Sequence, residues 1–391
     1  MLMIDINKVR ADTPGCTNLT HFNNAGASLM PIPVYEAMTH HLELEQNIGG
    51  YEAQNLAAAD IAAFYVEFAG LLNAMPEEIA YVENATRAWD MAFYGMPLVK
   101  GDRILTHESE YVSNYLAFLQ QSKNRGWEVD LVPSDDQGQI DLELMESMIT
   151  PRTKLIAITH VPTQGGLINP VEEVGKIANK HGLIYMLDAC QSAGQIPLDV
   201  NKIGCHVLSG TGRKYLRGPR GTGFLYVCSD MLEKIEPPFI DLHSAIWTSP
   251  EHYEWVNSAK RYENWECNIA GKIGLMRGVR YARDLGLDLI ERRVTHIAST
   301  LRDALAELSD VTVHDRGVNK CGIVTFYKNG KEPSEIANNL RANKVNVSIS
   351  KLASAQLDFG KRQLSSLVRA SVHYFNTENE IDRFVEIIKK Q

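Results

Sequence analysis

The sequence has no paired cysteines and no long hydrophobic run, and each absence narrows what the protein can be. Its six cysteines are scattered singly, without a C-x-x-C pair, which disfavours a disulfide framework or a zinc site and favours reduced thiols. No apolar run approaches the ~20 residues of a membrane span. Charged residues occur so early in the N-terminal stretch MLMIDINKVR that they leave no apolar core of the length that a signal peptide needs. We therefore expect a soluble cytoplasmic protein.

A basic surface stripe and a dinucleotide-binding motif are also missing. The formal net charge is −9, and lysines and arginines do not cluster, so binding to nucleic acid or to an anionic membrane is disfavoured. No G-x-G-x-x-G motif follows an early strand, which argues against a dinucleotide-dependent oxidoreductase. An anionic cofactor would therefore need local donors to hold it.

The composition that is present is typical of a globular protein, and its patterning predicts a layered fold. The chain is 45% hydrophobic, as is usual for a globular protein. Its length of 391 residues is enough for two or three domains. Residues 33–73 have apolar positions at helical spacing, interrupted at Gly49 and Gly50. Short apolar runs then alternate with helix-like segments such as 171–180; these runs lie at 103–106, 129–132, 155–159, 183–187 and 223–227. Such alternation predicts a mostly parallel sheet covered by helices on both faces.

The pattern changes beyond about residue 270. One long amphipathic helix is predicted over 270–308, and strands and helices of a smaller unit follow it. The predicted strands are 311–314, 322–327, 345–350 and 367–373, and the helices lie near 333–342 and 377–390. We predict an N-terminal arm (1–20), a large domain (21–270) and a small C-terminal α+β domain (271–391), against which the N-terminal segment can pack.

Two segments of the large domain carry the chemical signal. The apolar run 183–187 ends at Asp188, and ligands bind at the carboxyl ends of strands in open α/β sheets. Lys214 follows one short strand-like run later, in the stretch S-G-T-G-R-K. Separately, these features are equally well explained as a helix cap and a glycine-rich loop. Together they place a carboxylate and an amine in one crevice, and pyridoxal 5'-phosphate (PLP) needs both, an amine for its imine and a carboxylate for its pyridine nitrogen.

The paired patterns D-A-x-Q and S/T-G-x-K-x-x-x-G-P-x-G-x-G-F-L resemble the class V aminotransferase family of fold-type I PLP enzymes. This family includes cysteine desulfurases, selenocysteine lyases and isopenicillin N epimerases, and matching motifs run from about residue 21 to 374. The resemblance implies the α/β PLP-dependent transferase fold, with a mostly parallel seven-stranded sheet in the large domain. It also implies an enzyme that acts on an amino acid or amine metabolite and forms a homodimer.

The resemblance assigns a role to each candidate cofactor residue. Lys214 matches the Schiff-base lysine, and Asp188 matches the partner of the pyridine nitrogen. Gln191 matches the glutamine that contacts the ring hydroxyl, and Tyr111 stands at the position that stacks on the ring. The residues at the phosphate positions are Ala85, Thr86, Thr211 and Arg213, of which the first two follow Asn84 at a predicted helix start.

The substrate end of the site follows from the same resemblance. Arg369 matches the arginine that binds the substrate α-carboxylate. An arginine inside an apolar strand needs an anionic partner, so a buried structural ion pair is the alternative. Ala25, Gly26 and Thr163 would line the same end of the pocket.

The sequence departs from the desulfurase pattern in two segments. Residues 350–360 contain no cysteine where desulfurases carry their nucleophile, and persulfide formation needs a reachable thiolate. Cys190 is expected to be packed. Glu266 replaces a threonine that contacts the partner subunit's cofactor phosphate, and this variant segment resembles a subgroup of epimerase-like proteins and C–S lyases. We predict a β-eliminating C–S lyase; the alternatives are an aminotransferase, an epimerase or a non-catalytic PLP-binding protein.

Overall fold

The computed structural model describes residues 4–391, so the first three residues of the predicted arm lie outside the described residues. The helices, numbered along the chain, are α1 (Ile6–Ala11), α2 (Ile32–Ile48), α3 (Gly50–Leu56), α4 (Ala58–Leu72), α5 (Ala85–Phe93), α6 (Val112–Arg125), α7 (Leu142–Ser147), α8 (Val171–Lys180), α9 (Val200–Ile203), α10 (Ile269–Leu285), α11 (Leu287–Ala306), α12 (Pro333–Ala342), α13 (Gln356–Lys361) and α14 (Glu378–Lys389). The strands are β1 (Thr20–His21), β2 (Ile79–Val82), β3 (Arg103–His107), β4 (Glu128–Val132), β5 (Thr153–Thr159), β6 (Ile184–Asp188), β7 (Val207–Thr211), β8 (Gly223–Val227), β9 (Ala245–Ser249), β10 (His252–Trp255), β11 (Val311–Val313), β12 (Ile323–Lys328), β13 (Val345–Asn346), β14 (Ser348–Lys351) and β15 (Ser366–Ser371).

A seven-stranded sheet forms the centre of the large unit, in the order β2-β8-β7-β6-β5-β3-β4. The pairs from β7 to β4 are parallel, and β8 alone runs antiparallel to both of its neighbours. This confirms the predicted mostly parallel seven-stranded sheet. The parallel strands end at one edge of the sheet, which is where a ligand site is expected.

Helices cover both faces of this sheet, and the strand residues alternate between the two cores. On β5, Ile156 and Ile158 pack with α4, α8 and α10, whereas Leu155 and Ala157 pack with α5 and α6. Side chains on a strand point to opposite faces in turn, so a strand buried on both sides is apolar throughout. This explains the continuous apolar runs of the sequence.

The C-terminal unit is built on an antiparallel sheet of order β11-β12-β15-β14. Its core combines α11, α12 and α14 with Phe22, and β1 pairs in parallel with β13. The N-terminal segment therefore packs with the C-terminal unit. The domain boundaries at residues 20 and 270 stay predictions; α10, just beyond the second, contributes Ile273, Leu275 and Met276 to a core of the large sheet.

The structure departs from the predicted elements in several places, including the unpredicted strands β1, β9 and β10. The single helix predicted over 270–308 is wrong: Gly286, with φ of +88°, separates α10 from α11. The strand predicted over 345–350 is two strands, because β13 pairs with β1 and β14 pairs with β15. Strand β2, absent from the predicted series, pairs with β8 at one edge of the sheet.

Within residues 4–391, no single helix is long and apolar enough to cross a membrane. Helices α3 and α4 meet the length and composition criteria only as a pair, and the chain bends by 59° between them.

Candidate functional site

The cavity at the carboxyl ends of the parallel strands gathers the predicted site residues. Strands β6 and β7 pair in parallel and end at Asp188 and Thr211, so the residues that follow them meet at the same edge. A cavity opens there. It is lined by Asn84, Ala85, Thr86, Tyr111, Asn114, Thr159, Val161, Thr163, Asp188, Cys190, Gln191, Thr211, Arg213 and Lys214.

Lys214 and Asp188 both line this cavity and do not pair with each other. Both side chains are buried, and no ion pair within 4.0 Å joins Lys214 to any acidic group of residues 4–391. Burial lowers the pKa of the Lys214 amine. The negative charge of Asp188 opposes this, and the positive charges of Arg213 and Arg369 lower the pKa further. A lowered pKa favours the neutral amine, which is the nucleophilic form.

Two hydrogen bonds hold the Asp188 carboxylate in place. Oδ1 accepts from the backbone N–H of Cys190 at 2.8 Å, and Oδ2 accepts from the side-chain amide of Asn114 at 3.0 Å. The first bond is a local turn contact. No helix follows Asp188 until α9, so the alternative that Asp188 caps the next helix is wrong. The second bond comes from α6, so a neighbouring element fixes the orientation of the carboxylate.

One end of the cavity is suited to an anion. Asn84 caps α5 by accepting from the backbone N–H of Arg87 at 2.9 Å, and Ala85 and Thr86 form the first turn of that helix. A helix N-terminus presents free N–H groups and favours negative charge. Thr211 and Arg213 come from the end of β7 and line the same cavity.

A second group of predicted residues is built around Arg369 and Thr163. The Arg369 guanidinium donates to the Thr163 backbone oxygen at 2.9 Å and to its hydroxyl at 2.7 Å. Gln191 donates to the Thr163 hydroxyl at 2.9 Å and to the Ala25 carbonyl at 3.2 Å, and Arg213 donates to the Gly26 carbonyl. Ala25, Gly26 and Arg369 thus contact lining residues directly, so every residue predicted for the site lies in one place.

Arg369 has no acidic partner, which contradicts the alternative of a structural ion pair. No carboxylate of residues 4–391 lies within 4.0 Å of its guanidinium, and its Nε is buried without a hydrogen-bond partner. A buried cation without a counter-charge is costly unless a ligand supplies one. The arrangement therefore leaves one cationic group available for an anionic substrate group.

Sequence analysis missed a buried carboxyl group behind the cavity. No role was predicted for Glu110 and Asn114, which lie on either side of Tyr111 in the sequence, yet Asn114 joins Glu110 to Asp188. Their spacing of four residues at the start of α6 is the signal that could have revealed the contact. Cys190, which was expected to be packed, lines the cavity, although burial raises its thiol pKa well above the ordinary value.

Comparisons with known proteins agree with this geometry. The family description "Aminotransferase class-V" matches residues 20–384. A probable cysteine desulfurase from Pyrococcus abyssi is 30% identical over 98% of this chain and 96% of its own length. The apo structure of a cysteine desulfurase from Thermococcus onnurineus superposes with a TM-score of 0.92 at 29% identity, covering 100% of this chain and 98% of that one.

A more distant structure shares the fold. The complex of the cystine C–S lyase C-DES with cysteine persulfide has a TM-score of 0.87 at 22% identity, covering 96% of this chain and 98% of that one. The match along nearly the whole chain, together with the arrangement of Lys214 and Asp188, identifies the protein as a member of the class V aminotransferase family of PLP-dependent enzymes.

Proposed function

We propose that this enzyme binds PLP covalently through Lys214 and releases sulfur from a sulfur-containing amino acid by β-elimination, without a persulfide-forming cysteine. The observation that carries the proposal is the shared cavity of Lys214 and Asp188, which face the same space and remain unpaired. Relatives named as probable cysteine desulfurases support a sulfur amino acid as the substrate class.

The cavity fits PLP on grounds other than family membership. The start of α5 suits the phosphate, Arg213 adds positive charge to the same cavity, and Asp188 suits a protonated ring nitrogen. The Oε1 of Gln191 is buried and lacks a hydrogen-bond partner among the described residues. It could therefore accept a hydrogen bond from the ring hydroxyl of the cofactor. Tyr111 lines the cavity, where its ring can cover the cofactor.

Each side chain around the cavity has a separate role in the proposed reaction. When bound, PLP supplies an electron sink that stabilises the negative charge left by removal of the substrate α-proton. Lys214, whose lowered pKa favours the neutral amine, takes that proton. Arg369 binds the α-carboxylate, and Thr163 fixes the orientation of its guanidinium. The C–S bonding electrons leave with the sulfur, and water completes the overall conversion to a thiol, pyruvate and ammonium.

The segment where desulfurases carry a mobile cysteine is an ordered part of the C-terminal unit here. Helix α13 lies within it, Phe359 is fully buried against Leu367, and Lys361 pairs with Glu108 at 2.9 Å. It contains no cysteine. Of the six cysteines, Cys190 lines the cavity, but its raised thiol pKa disfavours the thiolate that a persulfide needs.

The products separate the proposal from its alternatives. We expect the PLP-loaded enzyme to convert L-cysteine, L-cystine or an S-conjugate to pyruvate and ammonium in equal amounts.

Alanine in place of pyruvate would indicate a desulfurase, and a new keto acid with aminated cofactor would indicate an aminotransferase. Inversion of the α-carbon without loss of sulfur would indicate an epimerase, and no turnover of any substrate would favour a binding protein. The matched control is Lys214→Ala, assayed with the same substrates.

The proposed enzyme is also a homodimer. The hairpin β9–β10 presents the paired residues Trp247 and Tyr253 on one face, with exposures of 78% and 49%, and Ile246 on the other face with an exposure of 60%. Apolar side chains of this size rarely cluster on a free surface. A second copy of the chain is the partner that we propose for this hairpin.

A further inference from the structure

The cavity has a second acidic group behind Asp188 that none of the assigned roles uses. Glu110 follows β3 and is buried. Its Oε1 accepts from the backbone N–H of Tyr111 at 2.7 Å, from Asn114 at 2.9 Å and from the Thr159 hydroxyl. Its Oε2 accepts from the Thr106 hydroxyl at 3.3 Å. Every one of these donors is neutral, so no positive charge compensates this carboxyl group.

Asn114 connects this group to Asp188 with a single amide nitrogen. The two hydrogens of its Nδ2 serve two acceptors, Glu110 Oε1 at 2.9 Å and Asp188 Oδ2 at 3.0 Å. Glu110 therefore fixes the rotation of the amide, and the amide fixes the carboxylate that faces the cavity. Each partner is buried, with at most 5% of its surface exposed, so these bonds lie in a region of low dielectric where they are stronger than in water.

We propose that Glu110 and Asn114 are positioning residues that hold Asp188 against the PLP ring nitrogen and place a second, ionisable charge behind it. The inference rests on the proposed binding of PLP by Lys214. It assigns the pair no direct contact with the reacting atoms. Their effect reaches the cofactor through the orientation and the charge of Asp188.

The protonation of Glu110 gives this arrangement a pH dependence. Burial raises the pKa of Glu110 to about 7, hydrogen bonds from Thr159, Asn114 and the Tyr111 N–H oppose the rise, and the negative charge of Asp188 adds to it. Below pH 7 the group is therefore mostly neutral. Above pH 7 it carries a negative charge, which strengthens the retention of a proton on the neighbouring ring nitrogen.

Glu110→Gln isolates the charge, because glutamine keeps an acceptor for Asn114 and cannot ionise. In the PLP-loaded protein, the visible absorbance spectra of wild type and Glu110→Gln should coincide near pH 6. They should diverge as the pH rises and Glu110 ionises in the wild-type protein. The matched control is Glu108→Gln, in the same turn. Hydrogen bonds lower the pKa of Glu108, so it is already ionised at pH 6 and its variant should show no step in this range.

Glu110→Ala isolates the positioning, because it removes the acceptor that holds Asn114. We expect PLP to dissociate about tenfold more readily from Glu110→Ala, whereas Glu110→Gln should retain wild-type affinity within about twofold. A general packing defect would instead weaken both variants.

Three outcomes would contradict the positioning role: coincident spectra at every pH, unchanged PLP affinity in Glu110→Ala, or failure of Glu110→Gln to restore the affinity. A wild-type protein without a visible PLP band would instead overturn the proposed cofactor itself. Circular dichroism of each variant verifies that it is folded.

Discussion

Two buried or partly buried arginines lie at the cavity, and neither has a counter-charge among residues 4–391. Arg213 and Arg369 form no ion pair within 4.0 Å in this part of the chain. An anionic cofactor and an anionic substrate, with a phosphate and an α-carboxylate in the proposed complex, would together supply these charges.

Arg369→Ala tests the substrate end of this arrangement. We expect binding of α-amino acid substrates to weaken by about 2–5 kcal/mol, because a buried carboxylate loses its partner. Steady-state KM and direct titration measure the effect. An amine substrate without a carboxylate, such as an S-substituted cysteamine, should bind equally well to both proteins.

The matched control is Arg362→Ala, which removes an arginine that pairs with Asp358 away from the cavity. Equal loss of affinity for the amino acid and the amine would remove Arg369 from the proposed carboxylate site.

Motif residues could be predicted from the sequence because their chemistry is tied to a fixed local context. Lys214 in its glycine-rich loop and Asp188 at a strand end carry such contexts. Glu110 could not be assigned in this way, because its partners Thr159 and Asp188 lie on other strands. Only the packing of α6 against the sheet edge makes it part of the site.

At the scale of elements, the phosphate end depends on a close approach between β8 and the start of α5. Gly223 opens β8, and a Cβ there would lie 2.8 Å from the carbonyl carbon of Asn84 and 3.1 Å from the nitrogen of Ala85. Both neighbours are backbone atoms, which cannot rotate away. The glycine therefore lets a strand pass directly beneath the helix N-terminus.

Gly223→Ala should displace that helix N-terminus. We expect a loss of about 1–3 kcal/mol in the free energy of unfolding, together with weaker PLP binding, because the added methyl group overpacks the contact. Thermal melting with and without PLP measures both effects. Gly360→Ala is the matched control, since a Cβ at that position meets nothing within 4 Å.

The spacing of apolar residues predicted the bounds of individual buried helices, but it did not predict where one helix ends and the next begins. Helices α8 and α12 begin and end as predicted, because each has a continuous buried stripe. Residues 270–308 kept that periodicity through Gly286, so the break was not expected. Helix α10 packs on the large sheet, whereas most of the buried face of α11 packs on the small one. Both faces are apolar, so the amphipathic pattern alone does not distinguish these two packing partners.

At the scale of the whole molecule, strand β1 and Phe22 near the start of the chain pack with the C-terminal unit that completes the site. Strand β15 of this unit carries Arg369, and the N-terminal segment, paired through β1, carries Ala25 and Gly26. The substrate end is thus built where the two units meet. Such an arrangement could not be predicted from local pattern, because it joins residues more than 300 positions apart along the chain.

The proposed homodimer is tested with the same hairpin that suggested it. We expect the wild-type protein to sediment as a dimer and Trp247→Glu to shift it toward the monomer, because a charge would be buried in the contact. The matched control is Leu144→Glu, because Leu144 is also exposed but lies on α7, outside the hairpin. Helix α7 follows β4, and β4 and β2 are the two edge strands of the large sheet. A wild-type protein that is monomeric throughout the micromolar range would contradict the dimer.

The central claim is that Lys214 holds PLP, and mapping the attachment site tests it most directly. The PLP-loaded protein is reduced with borohydride, digested and analysed by mass spectrometry, with Lys214→Ala treated in parallel. We predict that the pyridoxyl group is found on Lys214, and that the alanine variant has neither the adduct nor the visible band. An adduct on another lysine, or a variant that keeps its colour and turnover, would contradict the account.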